Sequence, residues 1–318
     1  MRSGEVDISV VIPTYNRKEY LHQAIVSCFD GNDGLGVEVV VVDDGSNDGT
    51  REYLEGLEES RVRPIFQEHH GGQVARNRGL TEARGEYVKF LDDDDWLAHR
   101  ALEREVGVLR ESGAEACSGG CQFVDQTQSP LGEPDLDPSG DMLLKCIRGD
   151  IGPQPLRHTY RRELVAGLTW DEALPCRQDF AFLLEVASQS PDHVCTEKIS
   201  GYKRQHSGGL SERKRSKEHA AKVHLNVLSD AVRRIMNTDR MGADIRRAAA
   251  QKLWVWGRIV AMEDWREFER TNVLIERLLP EFVPGRKYWL LKMLDKLFGR
   301  VRTERIIHPV RKAVNVRA

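Results

Sequence analysis

The stretch Val37-Glu38-Val39-Val40-Val41-Val42-Asp43-Asp44-Gly45-Ser46 runs from apolar residues straight into an acidic turn. A strand that is apolar on successive residues belongs in a sheet covered on both faces. Three further runs share this character, at Ile8–Ile12, Val62–Phe66 and Tyr87–Leu91. Between them lie helical stretches at Lys18–Phe29, Asp48–Glu58 and Gln73–Ala83. Such alternation predicts right-handed βαβ units and an α/β fold around a mostly parallel, twisted sheet. Ligands of these sheets bind outside the carboxyl ends of the strands. The polar clusters that follow the strands are therefore expected to converge: Pro13-Thr14-Tyr15-Asn16-Arg17, Asp43-Asp44-Gly45-Ser46 and Asp92-Asp93-Asp94-Asp95.

The bulk properties narrow the function. The 318 residues carry 47 Lys and Arg against 50 Asp and Glu, a net charge of −3, which argues against a dedicated nucleic-acid binder. The six cysteines (28, 117, 121, 146, 176 and 195) form no CxxC pair and read as reduced thiols. The apolar run at Ile8–Ile12 is too short for a signal peptide, and no stretch is long enough for a membrane span. A cytoplasmic protein is expected.

Beyond the fourth strand the pattern is mixed. A helix is expected over Arg100–Glu111, a strand over Ala114–Val124 and a loop over Gln126–Asp141. Helical periodicity returns near Asp179, with Phe180, Leu183, Leu184 and Ala187 on one face. After a charged link at 212–217, Ala220, Val223, Val227, Ala231 and Ile235 repeat at helical spacing. The expected divisions are 1–98, 99–211 and a helical appendage over 212–318.

Four consecutive carboxylates at Asp92–Asp95 repel one another, and at a strand end they suit a hard divalent cation such as Mg²⁺ or Mn²⁺. The string equally fits a solvated turn capping the next helix. Asp44 can accept hydrogen bonds from a nucleobase, whereas Ser46 or Asp48 can simply cap a helix. Gly71-Gly72-Gln73-Val74-Ala75-Arg76-Asn77-Arg78-Gly79 allows backbone approach to phosphate, with Arg to neutralise it. It is neither a Walker A loop nor a Rossmann fingerprint.

In order and spacing, Ser9-Val10-Val11-Ile12-Pro13-Thr14-Tyr15-Asn16-Arg17, Val41-Val42-Asp43-Asp44-Gly45-Ser46, Ala75-Arg76-Asn77-x-Gly79 and Gly85-Glu86-Tyr87-x-x-Phe90-Leu91-Asp92-x-Asp94-Asp95 resemble family 2 glycosyltransferases of the GT-A fold. The match is close over the first hundred residues and looser to about Ser211. The resemblance implies a Rossmann-like nucleotide half and an inverting enzyme that uses a nucleotide-diphosphate sugar. UDP is the nucleotide it points to, with dTDP and GDP as alternatives. It implies that Pro13 and Tyr15 line the nucleobase pocket, that Asp44 bonds the base, and that Arg17 and Arg76 serve the donor. Asp92-x-Asp94 looks like the D-x-D element, with Asp94 as metal ligand and Asp93 toward the ribose. The segment Tyr202–Ser211 resembles one that closes over the donor, where His206 or Arg204 would meet diphosphate or metal.

The family's base is usually the Asp of a Glu-Asp pair. Here Leu168–Leu174 resembles the segment that leads into it, but the pair reads Gln178-Asp179. Asp179 is retained and fits a general base; an acid at that position also simply favours a helix N-terminus. From Arg286 the chain is basic and amphipathic, which suits peripheral contact with anionic lipid and, with it, a glycan or lipid-linked acceptor of envelope or capsule synthesis. Packing on the catalytic domain would use the same pattern. Two other readings compete: a sugar-nucleotidyltransferase, whose glycine-rich signature is missing after the first strand, and a non-catalytic nucleotide-sugar binder, which has no need of both Asp94 and Asp179.

Overall fold

The computed structural model describes residues 6–206, 217–284, 299 and 301–305. The chain divides into two compact units, Met1–Arg213 and Lys214–Ala318.

In the first unit the sequence pattern becomes β1 (Ile8–Thr14), α1 (Lys18–Ser27), β2 (Val37–Asp43), α2 (Thr50–Glu55), β3 (Val62–Phe66), α3 (Gly72–Glu82) and β4 (Tyr87–Phe90). Every residue of β1, β2 and β4 is buried, as two-sided coverage requires. These strands pair in parallel, β1 with both β2 and β4, and β2 with β3. The helix expected over Asp48–Glu58 is shorter because Asp48 starts it from outside: its Oδ1 accepts from Thr50 N–H at 3.1 Å. Helix α3 lies close on the sheet. A Cβ at Gly79 would sit 2.3 Å from Val11 Cγ1, so only glycine permits that approach.

The unit continues through β5 (Trp96–Leu97), α4 (Ala101–Ser112), β6 (Ala116–Val124), α5 (Met142–Arg148), β7 (His158–Arg161), α6 (Arg162–Val165), α7 (Gln178–Ser188) and β8 (His193–Arg204). The eight strands form one sheet in the order β3-β2-β1-β4-β7-β6-β8-β5. Direction changes at β7, which runs antiparallel to both β4 and β6, while β6 and β8 are parallel. Strands β5, β7 and β8 were not expected from the pattern. Under this half lies a buried ion pair, Lys89 Nζ to Glu105 Oε2 at 2.7 Å, with Thr159 Oγ1 3.2 Å from the same ammonium. Both ions keep hydrogen-bonding partners, the condition under which burial of such a pair is tolerable.

The segment expected as a loop, Gln126–Asp141, is tied to the sheet. Cys121 and Asp135 exchange backbone bonds at 2.8 and 2.9 Å. The fully buried Arg157 donates to Asp135 Oδ2 at 2.6 Å, to Gly119 O at 3.2 Å and to Asp137.

The second unit contains α8 (Lys217–Ile235), α9 (Ala243–Val260) and α10 (Trp265–Leu278). On α8 the expected Val223, Ala231 and Ile235 are buried, while Ala220 and Val227 are only partly covered; Ala221, Leu225, Leu228 and Val232 are buried as well, so the covered face is wider than the expected stripe. Leu253 and Trp254 of α9 and Phe268 and Ile275 of α10 are also buried. No described helix is long and apolar enough to cross a membrane. The basic stretch 286–318, apart from 299 and 301–305, lies outside the described residues, as does the 207–211 end of the expected donor-closing segment.

Candidate active site

The chain leaves β1 to build β2 and β3 on one side, then crosses back to add β4 on the other. That reversal opens a crevice at the carboxyl ends of β1 and β4. Thr14, the last residue of β1, bridges the clusters on either side. Its carbonyl accepts from Asp44 N–H at 2.9 Å, and its hydroxyl donates to Asp93 Oδ2 at 2.8 Å.

On the β2 side, Asp44 is 2% exposed. Its Oδ1 accepts from Gln67 Nε2 at 2.7 Å and His70 N–H at 2.9 Å; its Oδ2 accepts from Gly71 N–H at 2.8 Å and lies 2.8 Å from His69 Nδ1. The carboxylate thus shapes the turn that leads into α3. The His69 ring stacks on Tyr15 with centroids 4.0 Å apart, and Tyr15 stands 39% exposed beside the buried Pro13. An exposed aromatic pair above a buried carboxylate is a surface on which a flat base can lie.

The β4 side holds the charge. Asp92 Oδ1 accepts from Arg76 at 2.5 Å, and Asp92 Oδ2 is 3.3 Å from Lys203 Nζ. Lys203 also reaches Asp95 Oδ2 at 3.1 Å, and Asp95 Oδ1 accepts from Arg204 N–H at 3.0 Å. Asp94 Oδ2 accepts from Arg17 at 3.0 Å and lies 2.9 Å from His206 Nε2. Oxygens of Asp92, Asp94 and Asp95 all fall within 4.8 Å of one another. Arg204, in contrast, is 7% exposed; it donates to Asp94 O and Gln23 and packs over the Tyr20 and Trp96 rings.

Like charges at this spacing leave their mark on ionisation. Burial and the neighbouring Asp94 push the Asp93 carboxyl up to about 7, against the Thr14 hydrogen bond and Arg17. Burial also works against the charge on Asp92, but Lys203 and Arg76 outweigh it and hold this carboxyl well below the ordinary range. Burial would lower the Lys203 ammonium, yet Asp95, Asp92, Asp94 and Asp179 keep it well above its usual value.

Asp179 enters from the other half of the unit. It lies in the first turn of α7, after Arg177 in the left-handed region at φ 65°, and is half-buried. Burial and the charge of Asp92 raise its pKa, with Arg76, Lys203 and Arg177 pulling the other way. Asp179 and Asp92 are thus near enough for their charges to interact. Lys203 was missed as a site residue because β8 was not recognised as a strand. His69 was missed because a lone exposed histidine carries no signal of its own.

A parallel half-sheet with acids and arginines gathered at the carboxyl ends of its strands places these side chains where α/β sheets bind their ligands. Residues 9–162 match the family model described as glycosyl transferase family 2, and this domain belongs to that family. It is 37% identical over 99 residues to the GalNAc(5)-diNAcBac-PP-undecaprenol beta-1,3-glucosyltransferase of Campylobacter jejuni, covering 30% of this chain and 32% of that one. The chain spans about half the length of other curated bacterial glycosyltransferases it matches. Among solved structures it is similar to TarS 1–349 of S. aureus, with TM-score 0.68 and 18% identity over 97% of this chain and 92% of that chain. The complex of the same protein with UDP-GlcNAc aligns with TM-score 0.63 and 17% identity, at the same coverage. The mannosyltransferase PcManGT of Pyrobaculum calidifontis, in complex with GDP-Man and Mn²⁺, aligns with TM-score 0.57 and 16% identity over 98% of this chain and 87% of that one. These likenesses establish the GT-A fold.

Proposed function

We propose that the protein is an inverting glycosyltransferase that moves a sugar from a UDP-linked donor to a hydroxyl of a glycan or lipid-linked acceptor. One observation carries the reading. Asp92 is held between Arg76 and Lys203, Asp94 and Asp95 lie beside it, and Asp179 is close enough for Asp92 to perturb it.

Each group has work that suits its chemistry. Arg76 and Lys203 neutralise pyrophosphate oxygens. Pro13, Tyr15 and the stacked His69 bound the base, while Asp44 holds their turn; a base N–H would compete with His69 Nδ1 for Asp44 Oδ2. Asp93, held by Thr14, faces the ribose. The all-oxygen set of Asp92, Asp94 and Asp95, with ligand atoms within 4.8 Å of one another, suits Mn²⁺ or Mg²⁺. Asp94, with His206 beside it, would hold the ion, which when bound stabilises charge on the departing diphosphate. Asp179 removes the acceptor proton as the new bond forms. One base facing one leaving group gives a single displacement and inversion at the anomeric carbon.

The UDP-GlcNAc and Mn²⁺ complexes of structural neighbours support the donor and the ion. The undecaprenol-linked substrate in the Campylobacter enzyme's name supports a lipid-linked acceptor. A panel of UDP-, dTDP- and GDP-sugars, each with and without Mn²⁺ or Mg²⁺, tests this by thermal shift. A UDP-sugar with ion at 100 times its dissociation constant should add about 2.7 kcal/mol of stability. No stabilisation by any nucleotide with either ion would remove the reading.

Charge is divided unequally along the chain. Residues 1–213 hold 23 Lys and Arg against 38 Asp and Glu, and residues 214–318 hold 24 against 12. This polarity supports peripheral contact of the C-terminal part, 286–318 included, with anionic lipid. In liposome flotation the full chain should bind vesicles containing anionic lipid, and a chain ending at residue 285 should bind less. Equal binding, or none by the full chain, rejects that contact.

A further inference from the structure

Helix α3, which carries Arg76, also supplies side-chain bonds to the segment ahead of Asp179. Helix α3 presents Arg76 to Asp92, and its next residue, Asn77, to the segment before α7. The Asn77 amide is fully used. Its Oδ1 accepts from Trp170 N–H at 2.7 Å; its Nδ2 donates to Trp170 O at 3.0 Å and to Glu172 Oε1 at 2.9 Å. One turn earlier, Gln73 Nε2 donates to Leu174 O at 2.9 Å.

Trp170 passes the constraint on. It is 2% exposed, lies under the Arg76 guanidinium at 4.8 Å, and stacks on Phe182 at 4.4 Å with 5° between the planes. Phe182 is three residues beyond Asp179 on α7, one turn further along the helix. Between α6 and α7 the backbone forms no helix or strand, so side-chain bonds of α3 take the place of a backbone ladder there.

We propose that Asn77 is a positioning residue: through Trp170 it fixes the register of α7, so that Asp179 and the donor-facing Arg76 are placed by one helix. The proposal rests on the reading of Asp179 as the base and Arg76 as a diphosphate ligand. It adds that the two halves of the reaction are aligned by a side chain that touches neither substrate. Misplacement by about 1 Å costs on the order of 100-fold in rate.

Amide hydrogen exchange on the full chain, with UDP and Mn²⁺ as the added probe, tests the coupling without an acceptor. In Asn77→Ala, peptides covering 168–182 should exchange about 10-fold faster or more, while those covering β1, β2 and β4 keep wild-type rates and UDP–Mn²⁺ affinity stays within about twofold. Gln73→Ala, which removes one bond of the same strap, should give a smaller change in the same peptides. Unchanged exchange at 168–182, or an equal rise throughout the first unit, would overturn the proposal; the second result makes Asn77 a general stability contact.

Turnover separates this idea from its premise. Asn77→Ala should lower kcat about 10- to 100-fold with donor KM little changed, and should have almost no effect in an Asp179→Asn background. Equal losses in both backgrounds would mean that Asn77 does not act through Asp179. A wild-type rate in Asp179→Asn would reject the base assignment instead, and with it the catalytic part of the proposal.

Discussion

Asp179→Asn lowers kcat by about 10²–10⁴-fold and leaves UDP–Mn²⁺ affinity within about twofold, measured by UDP release from the donor that the thermal-shift panel selects and by calorimetry. The amide is nearly isosteric, so α7 and its stacked Phe182–Trp170 pair should stay in place. What is lost is the lone pair that takes the acceptor proton. The acid limb of the rate profile provides a second signature. Burial and Asp92 raise the Asp179 pKa, so the carboxylate is lost at a higher pH than in an ordinary aspartate. Activity should therefore rise with pH through a limb above the usual aspartate value of about 3.9, and that limb should be missing from the residual activity of the variant. A wild-type rate in Asp179→Asn rejects the assignment.

Asp94→Ala should be as damaging to turnover, about 10³-fold or more, but through the opposite partner. Asp94 is the carboxylate that joins Arg17 and His206, and its oxygen lies within the Asp92 and Asp95 set. Its removal takes one ligand from a site that by the general rule offers few, because Mg²⁺-type ions bind through one or two carboxylates and substrate phosphates. Metal-dependent stabilisation by UDP should disappear, while the smaller metal-free shift remains. Relief of like charge gives a further sign. With Asp94 gone, Asp93 loses the neighbour that, after burial, does most to push its carboxyl up to about 7. The apo variant should thus be no less stable than the wild type near neutral pH, by urea unfolding. Retention of the full Mn²⁺ effect in Asp94→Ala would show that the ion uses other ligands.

The two variants divide the cleft by function. Asp179→Asn keeps donor binding and loses proton transfer; Asp94→Ala loses the ion-linked part of donor binding. A protein that only binds nucleotide sugars would respond to Asp94 and be indifferent to Asp179.

Much of the nucleotide half was legible because β1, β2 and β4 are buried on both faces. Val37–Val42 can be read as a parallel strand from residue type alone, and its end at Asp43 follows from where the acids begin. The acceptor half was less legible for a physical reason. Strand β7 is His158-Thr159-Tyr160-Arg161, four residues with polar groups that are satisfied by Ser118, Glu105 and Glu86. Strand β8 carries Glu197 and Lys198 on exposed positions, which hides its alternation. Neither strand has the apolar signature that a local window detects, because their pairing energy comes from partners distant in sequence.

By itself the sequence determined which elements could form around β1 to β4, and that their acidic and basic turns would share one end of a sheet. That follows from hydrophobic period and chirality, both local properties of the chain. Only the tertiary structure decided that Lys203 joins Asp92, that the Asp44 carboxylate is spent on the turn before α3, and that Asn77 ties down Trp170. Those contacts span 111, 27 and 93 residues of sequence. Separations of that length are closed by the packing of the whole unit, and no window of the sequence contains both partners.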